Sequence, residues 1–206
     1  MSMFRSLMAQ QSTPQPEYEF LTRIRATGSQ HINFPDIIPY NHKLEIKLQM
    51  PRYNNDNHLW GANYMGEFGD GARYFSMTTY NRKYYWGTNG DEMYGGTWNS
   101  NENIIIYNDF NDHEVKVNGT TIGSGNEIYT EGYFYLFKRA NAYAPAENSG
   151  KYVGYIYYCK MWDRDTEELV LDLVPARRLS DSVLGLYDNV TNTFFENNGT
   201  GSFVAD

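Results

Sequence analysis

The sequence predicts an all-β protein: a two-sheet antiparallel sandwich preceded by a short N-terminal arm. Three observations predict it. Short apolar or aromatic runs separated by turn residues recur along the 206 residues, Tyr, Trp and Phe make up 17% of the chain, and no convincing helical period follows residue 10. Aromatic side chains favour pleated surfaces, and about a dozen short strands with frequent turns are typical of a sandwich or jelly roll.

The clearest strand pattern lies at residues 41–50. Its apolar and polar sets alternate strictly: Leu44, Ile46, Leu48 and Met50 share one face, and Lys43, Glu45, Lys47 and Gln49 share the other. This two-residue period predicts an antiparallel sheet with one face in the core and the other in water. Weaker patterns predict strands at 18–26, 31–34, 59–65, 72–80 and 84–86, and a loop at 87–101.

The second half of the chain predicts the central and closing strands. Residues 152–162 are apolar in both alternating sets, which predicts a central strand that is covered on both faces. The sets are Val153, Tyr155, Tyr157, Cys159 and Met161 on one face, and Ile156, Tyr158 and Trp162 on the other. Further predicted elements are strands at 104–107 and 133–139, a hairpin at 113–123 that turns at Asn118-Gly119, a strand that begins at Leu169 and ends at Pro175, and a closing hairpin of 184–187 and 193–195.

The first 17 residues are predicted to be an arm separate from the domain, which spans residues 18–206. Phe4, Leu7 and Met8 could form one apolar stripe on a helical turn or two. The Pro-containing segment that follows resists both helix and sheet. The arm is therefore either a disordered tail or a peptide that anchors the domain to a neighbouring protein. It is not a signal peptide, because it lacks a run of about 7–15 apolar residues.

Composition excludes several classes of partner. The formal net charge is −8, whereas proteins that bind a phosphate backbone need clustered Lys and Arg, so no nucleic acid is expected. No stretch approaches the roughly 20 apolar residues of a membrane span. Cys159 is the one cysteine, so an intrachain disulfide is excluded, and its place in a strand pattern predicts a buried, unreactive thiol.

The sequence predicts no catalytic or metal centre. Glycoside hydrolysis needs two carboxylates that flank a bond. The pattern Asp163-x-Asp165-x-Glu167 has a suitable spacing but lies in a predicted hairpin loop at 163–168, where a solvated turn is favoured over a calcium site. The four histidines, His31, His42, His58 and His113, are too widely separated to suggest a metal pair. We therefore expect a non-enzyme without a cofactor, with calcium possible through scattered oxygen ligands.

An aromatic segment in the middle of the chain is the predicted ligand-binding surface. Aromatic rings stack on the apolar faces of sugars, and amides bind the hydroxyls. The candidate residues are Trp60, Tyr84, Tyr85, Trp86, Tyr94 and Trp98, with Asn81 and Asn89. Trp86 and Trp98 are the best candidates for exposure, because each is next to Gly, Asn or Ser. The alternative is that most of these aromatic residues pack in the core or in contacts between subunits.

Several segments carry a resemblance to a known family. They are Tyr18–Leu21, Gly28–Ile32, Leu44–Lys47, Tyr135–Phe137, Gly150–Asp163, Val174–Arg178 with Asp181, Gly185–Asp188 and Asn198–Gly201. These segments resemble the concanavalin A-like (laminin-G-like) sandwich domains of bacteriophage structural proteins. The resemblance covers roughly residues 18–204, is specific at the C-terminal end and is weak between 52 and 131.

The resemblance implies a virion protein on the surface of the phage particle, such as a tail fibre, a head fibre, a tail tip or a capsid decoration. The implied partners are other virion proteins through the arm, further copies of the chain, for example in a trimer, and a glycan of the host surface. The alternatives are a carbohydrate-binding module of a bacterial protein and, less favoured, a glycan-cleaving enzyme. Arg177, Arg178, Asp181 and Asp188 are expected to hold the final loops together rather than to bind a ligand.

Overall fold

The computed structural model describes residues 17–34, 41–50, 57–63, 74–80, 83–88, 93–97, 99, 101–110, 112, 114–124, 134–138 and 152–206. These residues form strands in two antiparallel sheets and no α-helix, which confirms the predicted sandwich. In the described segments, accordingly, no helix is long and apolar enough to cross a membrane. The arm, with Phe4, Leu7 and Met8, lies outside the described residues except for Glu17, so its anchoring role stays a prediction.

The strands are numbered in chain order. They are β1 (Tyr18–Phe20), β2 (Ile24–Thr27), β3 (Ile32–Phe34), β4 (His42–Gln49), β5 (Asn57–Asn63), β6 (Tyr74–Tyr80), β7 (Lys83–Thr88), β8 (Met93–Gly95), β9 (Asn103–Asp109), β10 (Val115–Val117), β11 (Thr120–Gly123), β12 (Phe134–Leu136), β13 (Val153–Asp163), β14 (Leu169–Arg178), β15 (Leu184–Asp188), β16 (Thr193–Phe195) and β17 (Val204–Ala205). The larger sheet has the order β11-β10-β9-β4-β13-β14-β15-β16, with β1 beside β14 and β2 between β13 and β17. The smaller sheet has the order β3-β12-β5-β6-β7-β8.

The core lies between the two sheets and follows the predicted alternation. In β4, Leu44, Ile46 and Leu48 are fully buried, which confirms the inner face assigned to this strand. The smaller sheet contributes Phe34 and Phe134, whose ring centroids are 5.5 Å apart. Each such side chain removed from water stabilises the fold by about 1.5–3 kcal/mol.

The central strand β13 differs from its prediction in one respect. Its central position is confirmed, because it pairs with β2, β4 and β14. Its faces were predicted wrongly, because the register with β4 shifts between Ile156 and Tyr158. A bulge of this kind adds one residue to a strand and reverses the alternation beyond it. Ile156, Cys159 and Met161 are therefore buried, while the opposite side of β13 is half-exposed rather than covered.

Pro175 does not end β14, which continues to Arg178. The carbonyl of Pro175 accepts a hydrogen bond from the backbone N of Leu21 at 2.9 Å. In a strand the N and O of one residue point to the same side, so the position of the missing N–H of Pro175 faces the same edge of β14 as its carbonyl. Along this edge, pairing with β13 stops at Leu173 and pairing with β1 starts at Ala176. A proline is tolerated at such a break in the ladder.

One of the two predicted turn regions has the expected structure, and the other contains a strand. The hairpin at Asn118-Gly119 is confirmed, with φ values of 50° and 79°, the left-handed pair of a type I′ turn. The segment 87–101 was predicted to be a loop, but it contains β8, which pairs with β7 at the edge of the smaller sheet. A strand of three residues that ends in Gly leaves too short a pattern to recognise in a sequence.

Charged residues hold the last strands and loops together through ion pairs and hydrogen bonds, as predicted. Arg177 pairs with Glu19 of β1 at 2.6 Å, and Arg178 pairs with both Asp181 and Glu196 at 2.6 Å. Asp188 is fully buried. Its carboxylate accepts hydrogen bonds from the backbone N of Asp172 (2.8 Å), Val190 (3.1 Å) and Thr191 (3.1 Å), and from the Thr191 hydroxyl (2.6 Å). It closes the turn between β15 and β16.

The segment 197–201 binds the turn at 29–31 through backbone and side-chain atoms. The N of Asn198 donates to the carbonyl of His31 at 2.8 Å, and the Asn197 side-chain oxygen accepts from the backbone N of His31 at 3.0 Å. Burial, together with the charge of Lys138, lowers the pKa of His31 to about 4. We call the contact between residues 197–201 and residues 29–31 the tail clip. It joins two segments that the family resemblance had singled out separately.

Candidate functional site

The outer side of the larger sheet carries an aromatic row on β13. The bulge between Ile156 and Tyr158 reverses the alternation of the strand. Tyr157 and Tyr158 are therefore both half-buried, and neither lies in the core. The row consists of Tyr155, Tyr157, Tyr158 and Trp162. Polar strands lie beside it: Tyr155 pairs in register with Arg25 of β2 and with Gln49 of β4. The polar face predicted for β4 therefore continues onto β13.

Three cations surround two of these rings. The Arg23 guanidinium carbon lies 4.1 Å from the Tyr155 ring centroid and 6.0 Å from that of Tyr157. Arg25 lies 5.9 Å from the Tyr155 ring, and the Lys47 ammonium lies 5.0 Å from the Tyr157 ring. Each such contact contributes about 0.5–1 kcal/mol at an exposed position. We call Arg23, Arg25, Lys47, Tyr155 and Tyr157 the cationic tyrosine cluster.

Gln49 adds an amide to the edge of this cluster. The Arg23 Nη1 donates to the Gln49 side-chain oxygen at 3.2 Å and to the Tyr157 hydroxyl at 3.1 Å. The bond with Tyr157 is the main cause that raises the pKa of Arg23 above its usual value. Arg23 also pairs with Asp206. Together with Gln49, the cluster combines aromatic rings, guanidinium groups and an amide, which are the groups that recognise sugar rings and their hydroxyls.

Two carboxylates lie beside the second half of β13, Glu45 on β4 and Asp172 on β14, and both have partners within the sheet. The Tyr158 hydroxyl donates to Glu45 at 2.8 Å. Burial first, and then this bond, raises the pKa of Tyr158. The Lys160 ammonium lies 3.5 Å from Asp172. Glu45 and Asp172 are therefore engaged within the sheet face.

The strands of the smaller sheet bring several predicted binding residues together in backbone register. Trp60 of β5 pairs with Met77, which pairs with Trp86 of β7, and Tyr85 pairs with Tyr94 of β8.

Tyr84 is the predicted binding residue whose side chain the structure places. It is fully buried, and burial raises the pKa of its hydroxyl. Its ring therefore packs in the core and is not available at the surface, as the alternative reading of the aromatic segment expects. Trp98, Asn81 and Asn89 lie outside the described residues.

Sequence reasoning missed the aromatic row of β13. The two-sided apolar pattern was interpreted as a covered strand, because an unbroken alternation puts Tyr157 with Cys159. One signal in the sequence indicates this row: the polar outer face of β4. A strand that pairs with β4 in the same sheet is exposed to solvent on the same side. Tyrosines there must be at least partly exposed.

The described residues contain no group of three His, Cys, Asp or Glu side chains that could hold a metal ion. In the hairpin loop, the Asp163 carboxylate accepts from the backbone N of Thr166 at 2.9 Å and that of Asp165 at 3.0 Å, and from the Thr166 hydroxyl at 3.1 Å. These bonds, that of the Thr166 backbone above all, lower the pKa of Asp163. The arrangement is that of a self-capped turn. Cys159 is buried, and burial raises the pKa of its thiol.

Comparisons with known proteins identify the type of fold. No family model and no curated protein matches the chain. A candidate carbohydrate-binding protein from Bacteroides ovatus has a similar structure, with 11% identity over 91% of this chain and a TM-score of 0.58. Trypanosoma rangeli sialidase in complex with sialic acid is similar over 72% of this chain, with 14% identity and a TM-score of 0.52. The chain spans 62% of the first protein and 27% of the second. Its fold is a concanavalin A-like sandwich.

Proposed function

We propose that this chain is a carbohydrate-binding module and that the outer face of the larger sheet is its binding surface. The observation that carries the proposal is the cationic tyrosine cluster, where Tyr155 and Tyr157 stand beside Gln49 and three cations. Tyrosine rings pack on the apolar faces of sugars, and amide and guanidinium groups bind hydroxyls. The Bacteroides ovatus protein lends support at the level of the fold.

We propose in addition that the module acts without catalysis. Hydrolysis of a glycosidic bond requires one carboxyl group that donates a proton and a second that acts as a nucleophile or base. On this face Glu45 is hydrogen-bonded to Tyr158, and Asp172 lies in an ion pair with Lys160. Because both carboxylates already have partners within the sheet, we infer that they stabilise the fold and do not take part in hydrolysis.

Truncating the two tyrosines tests the binding surface. The double variant Tyr155→Ala/Tyr157→Ala is expected to lose at least about tenfold in affinity for the glycans that the wild type binds on an array of bacterial surface polysaccharides, because about 1.4 kcal/mol of contact is removed. Phe20→Ala is the control, since Phe20 is a 59% exposed aromatic residue of the same sheet outside the cluster. Thermal unfolding confirms that each variant is folded.

The rival surface is tested on the same array with Trp86→Ala and Trp98→Ala. If these variants lose binding while the tyrosine variant binds normally, the aromatic segment predicted from the sequence is the site. A wild-type protein that binds no polysaccharide contradicts the proposal as a whole.

We also propose that the module belongs to a bacteriophage virion, as part of a tail or head fibre, a tail tip or a capsid decoration. Support comes from the closing segments that resemble phage sandwich domains. In this fold, Val174–Arg178 lies in β14 and Gly185–Asp188 lies in β15, and the two strands pair with each other. In this setting residues 1–17 join other virion proteins and several copies of the chain assemble together.

A deletion tests the anchoring role of the arm. Removing residues 1–17 is expected to leave a folded domain that is missing from purified particles, as measured by immunoblotting against the major capsid protein. Restoring the arm in trans on a fused reporter protein should carry the reporter into particles. Normal incorporation of the truncated chain would show that the arm is not the anchor.

A further inference from the structure

The cationic tyrosine cluster has a local charge opposite to that of the chain, whose formal net charge is −8. Among the residues that the structure describes, Arg25 and Lys47 form no ion pair, and Arg23 pairs with Asp206. The other cations on the outer face of the larger sheet pair with nearby carboxylates: Lys43 with Glu167, Lys116 with Glu114 and Lys160 with Asp172. Among the described residues of this face, the unpaired positive charge therefore lies in the cluster.

Arg25 adds a second, independent observation. Its side chain is half-buried, and its Nε is buried without a hydrogen-bond partner in the described part of the chain. A buried donor that is left unpaired is costly. A guanidinium group presents Nε and Nη as a planar fork that matches the two oxygens of a carboxylate. Arg25 would relieve this cost by turning its fork toward solvent, where a ligand carboxylate would supply the missing acceptor.

The strand order places the cations on both sides of the rings. Tyr155 lies between Arg25 of β2 and Gln49 of β4 in register, and Lys47 is two residues along β4 from Gln49. Two strand spacings separate β2 from β4, a width of about 10 Å. An extended ligand that crosses the strands there would meet a guanidinium, a ring and an ammonium in turn.

We propose that the ligand of this surface is an acidic glycan, a polysaccharide whose sugars bear carboxylate groups. The proposal rests on the proposed carbohydrate-binding function and names its substrate class. Tyr155 and Tyr157 hold sugar faces, Arg25 binds a carboxylate through two hydrogen bonds, and Lys47 neutralises a second carboxylate. A nucleic acid fits less well, because such binding draws on roughly 6–10 phosphate contacts and the cluster offers three cations on an acidic chain.

The experiment measures binding of the full chain to polygalacturonate and to the same polymer after its carboxyl groups have been reduced. Arg25→Gln/Lys47→Gln is expected to weaken binding to polygalacturonate at least tenfold and to leave binding to the reduced polymer unchanged. Lys116→Gln is the matched control, because Lys116 also lies over a tyrosine, Tyr107 at 5.2 Å, but has its own carboxylate partner in Glu114. Arg25→Lys, which keeps the charge and loses the fork, should fall between the wild type and Arg25→Gln.

Several outcomes would overturn the inference. Equal affinity of the wild type for the native and the reduced polymer would do so, as would tighter binding to dextran sulfate, or to a thirty-residue oligothymidylate, than to polygalacturonate. If the tyrosine variant loses polysaccharide binding while Arg25→Gln/Lys47→Gln retains it, the acidic-glycan inference fails and the proposed function stands. If neither variant changes binding, both fail.

Discussion

Asp188→Ala is expected to lower the free energy of unfolding by about 3–5 kcal/mol, because it leaves several buried donors without an acceptor. The carboxylate is fully buried and accepts from the backbone of Asp172, Val190 and Thr191 and from the Thr191 hydroxyl. The loss should appear in urea unfolding as a lower midpoint with an unchanged slope.

Asp163 provides a matched control for this prediction. It caps its turn in the same way, with bonds from the backbone of Asp165 and Thr166 and from the Thr166 hydroxyl, but its turn is open to solvent. Asp163→Ala should therefore destabilise the protein much less, because water replaces the lost acceptor. Equal losses in the two variants would contradict the view that burial sets the cost at Asp188.

Gly199→Ala is expected to destabilise the protein by about 3 kcal/mol or more, because the added methyl group overpacks the tail clip. A Cβ at Gly199 would lie 2.0 Å from the carbonyl oxygen of Ser29 and 2.8 Å from Nδ1 of His31. The Ser29 oxygen is backbone and accepts from the N of Thr200 at 3.2 Å, so it cannot move without breaking the clip. Differential scanning calorimetry measures the effect.

Gly119→Ala separates crowding from backbone strain. Gly119 has a φ of 79° and no atom within 4 Å of an added Cβ, so alanine there should cost only about 1 kcal/mol through its left-handed backbone. If Gly199→Ala costs no more than Gly119→Ala, the close approach of residues 29 and 199 does not hold in solution.

Much of the fold could be predicted from the sequence because local chemistry determines it. The alternation in β4 assigns its inner face through Leu44, Ile46 and Leu48, and Asn118-Gly119 specifies its turn. Two of the errors have a common cause: each depends on a partner strand that is remote in sequence. The bulge at Tyr157 is defined by pairing with β4, and the tolerance of Pro175 depends on where β1 and β13 stop pairing with β14.

The candidate site was harder to predict for the same reason. The cationic tyrosine cluster assembles residues of three strands, β2, β4 and β13, and no segment of the sequence contains two of its cations beside its tyrosines. Arg25 and Tyr155 become neighbours only through strand register. The aromatic segment attracted attention because its rings are close in sequence, and Tyr84 shows that such density also serves the core.

The pairing of the first strands with the last has a consequence for synthesis. Residues 24–27 pair with 153–156 and with 204–205, and residues 18–20 pair with 176–178. At about 5–20 residues per second on the ribosome, β2 waits on the order of 10 s before its partner strand exists. Such non-local topology also slows folding, to roughly milliseconds to seconds. The nascent chain therefore exposes unpaired strands for a long time and should depend on chaperones until residues 153–205 have been synthesised.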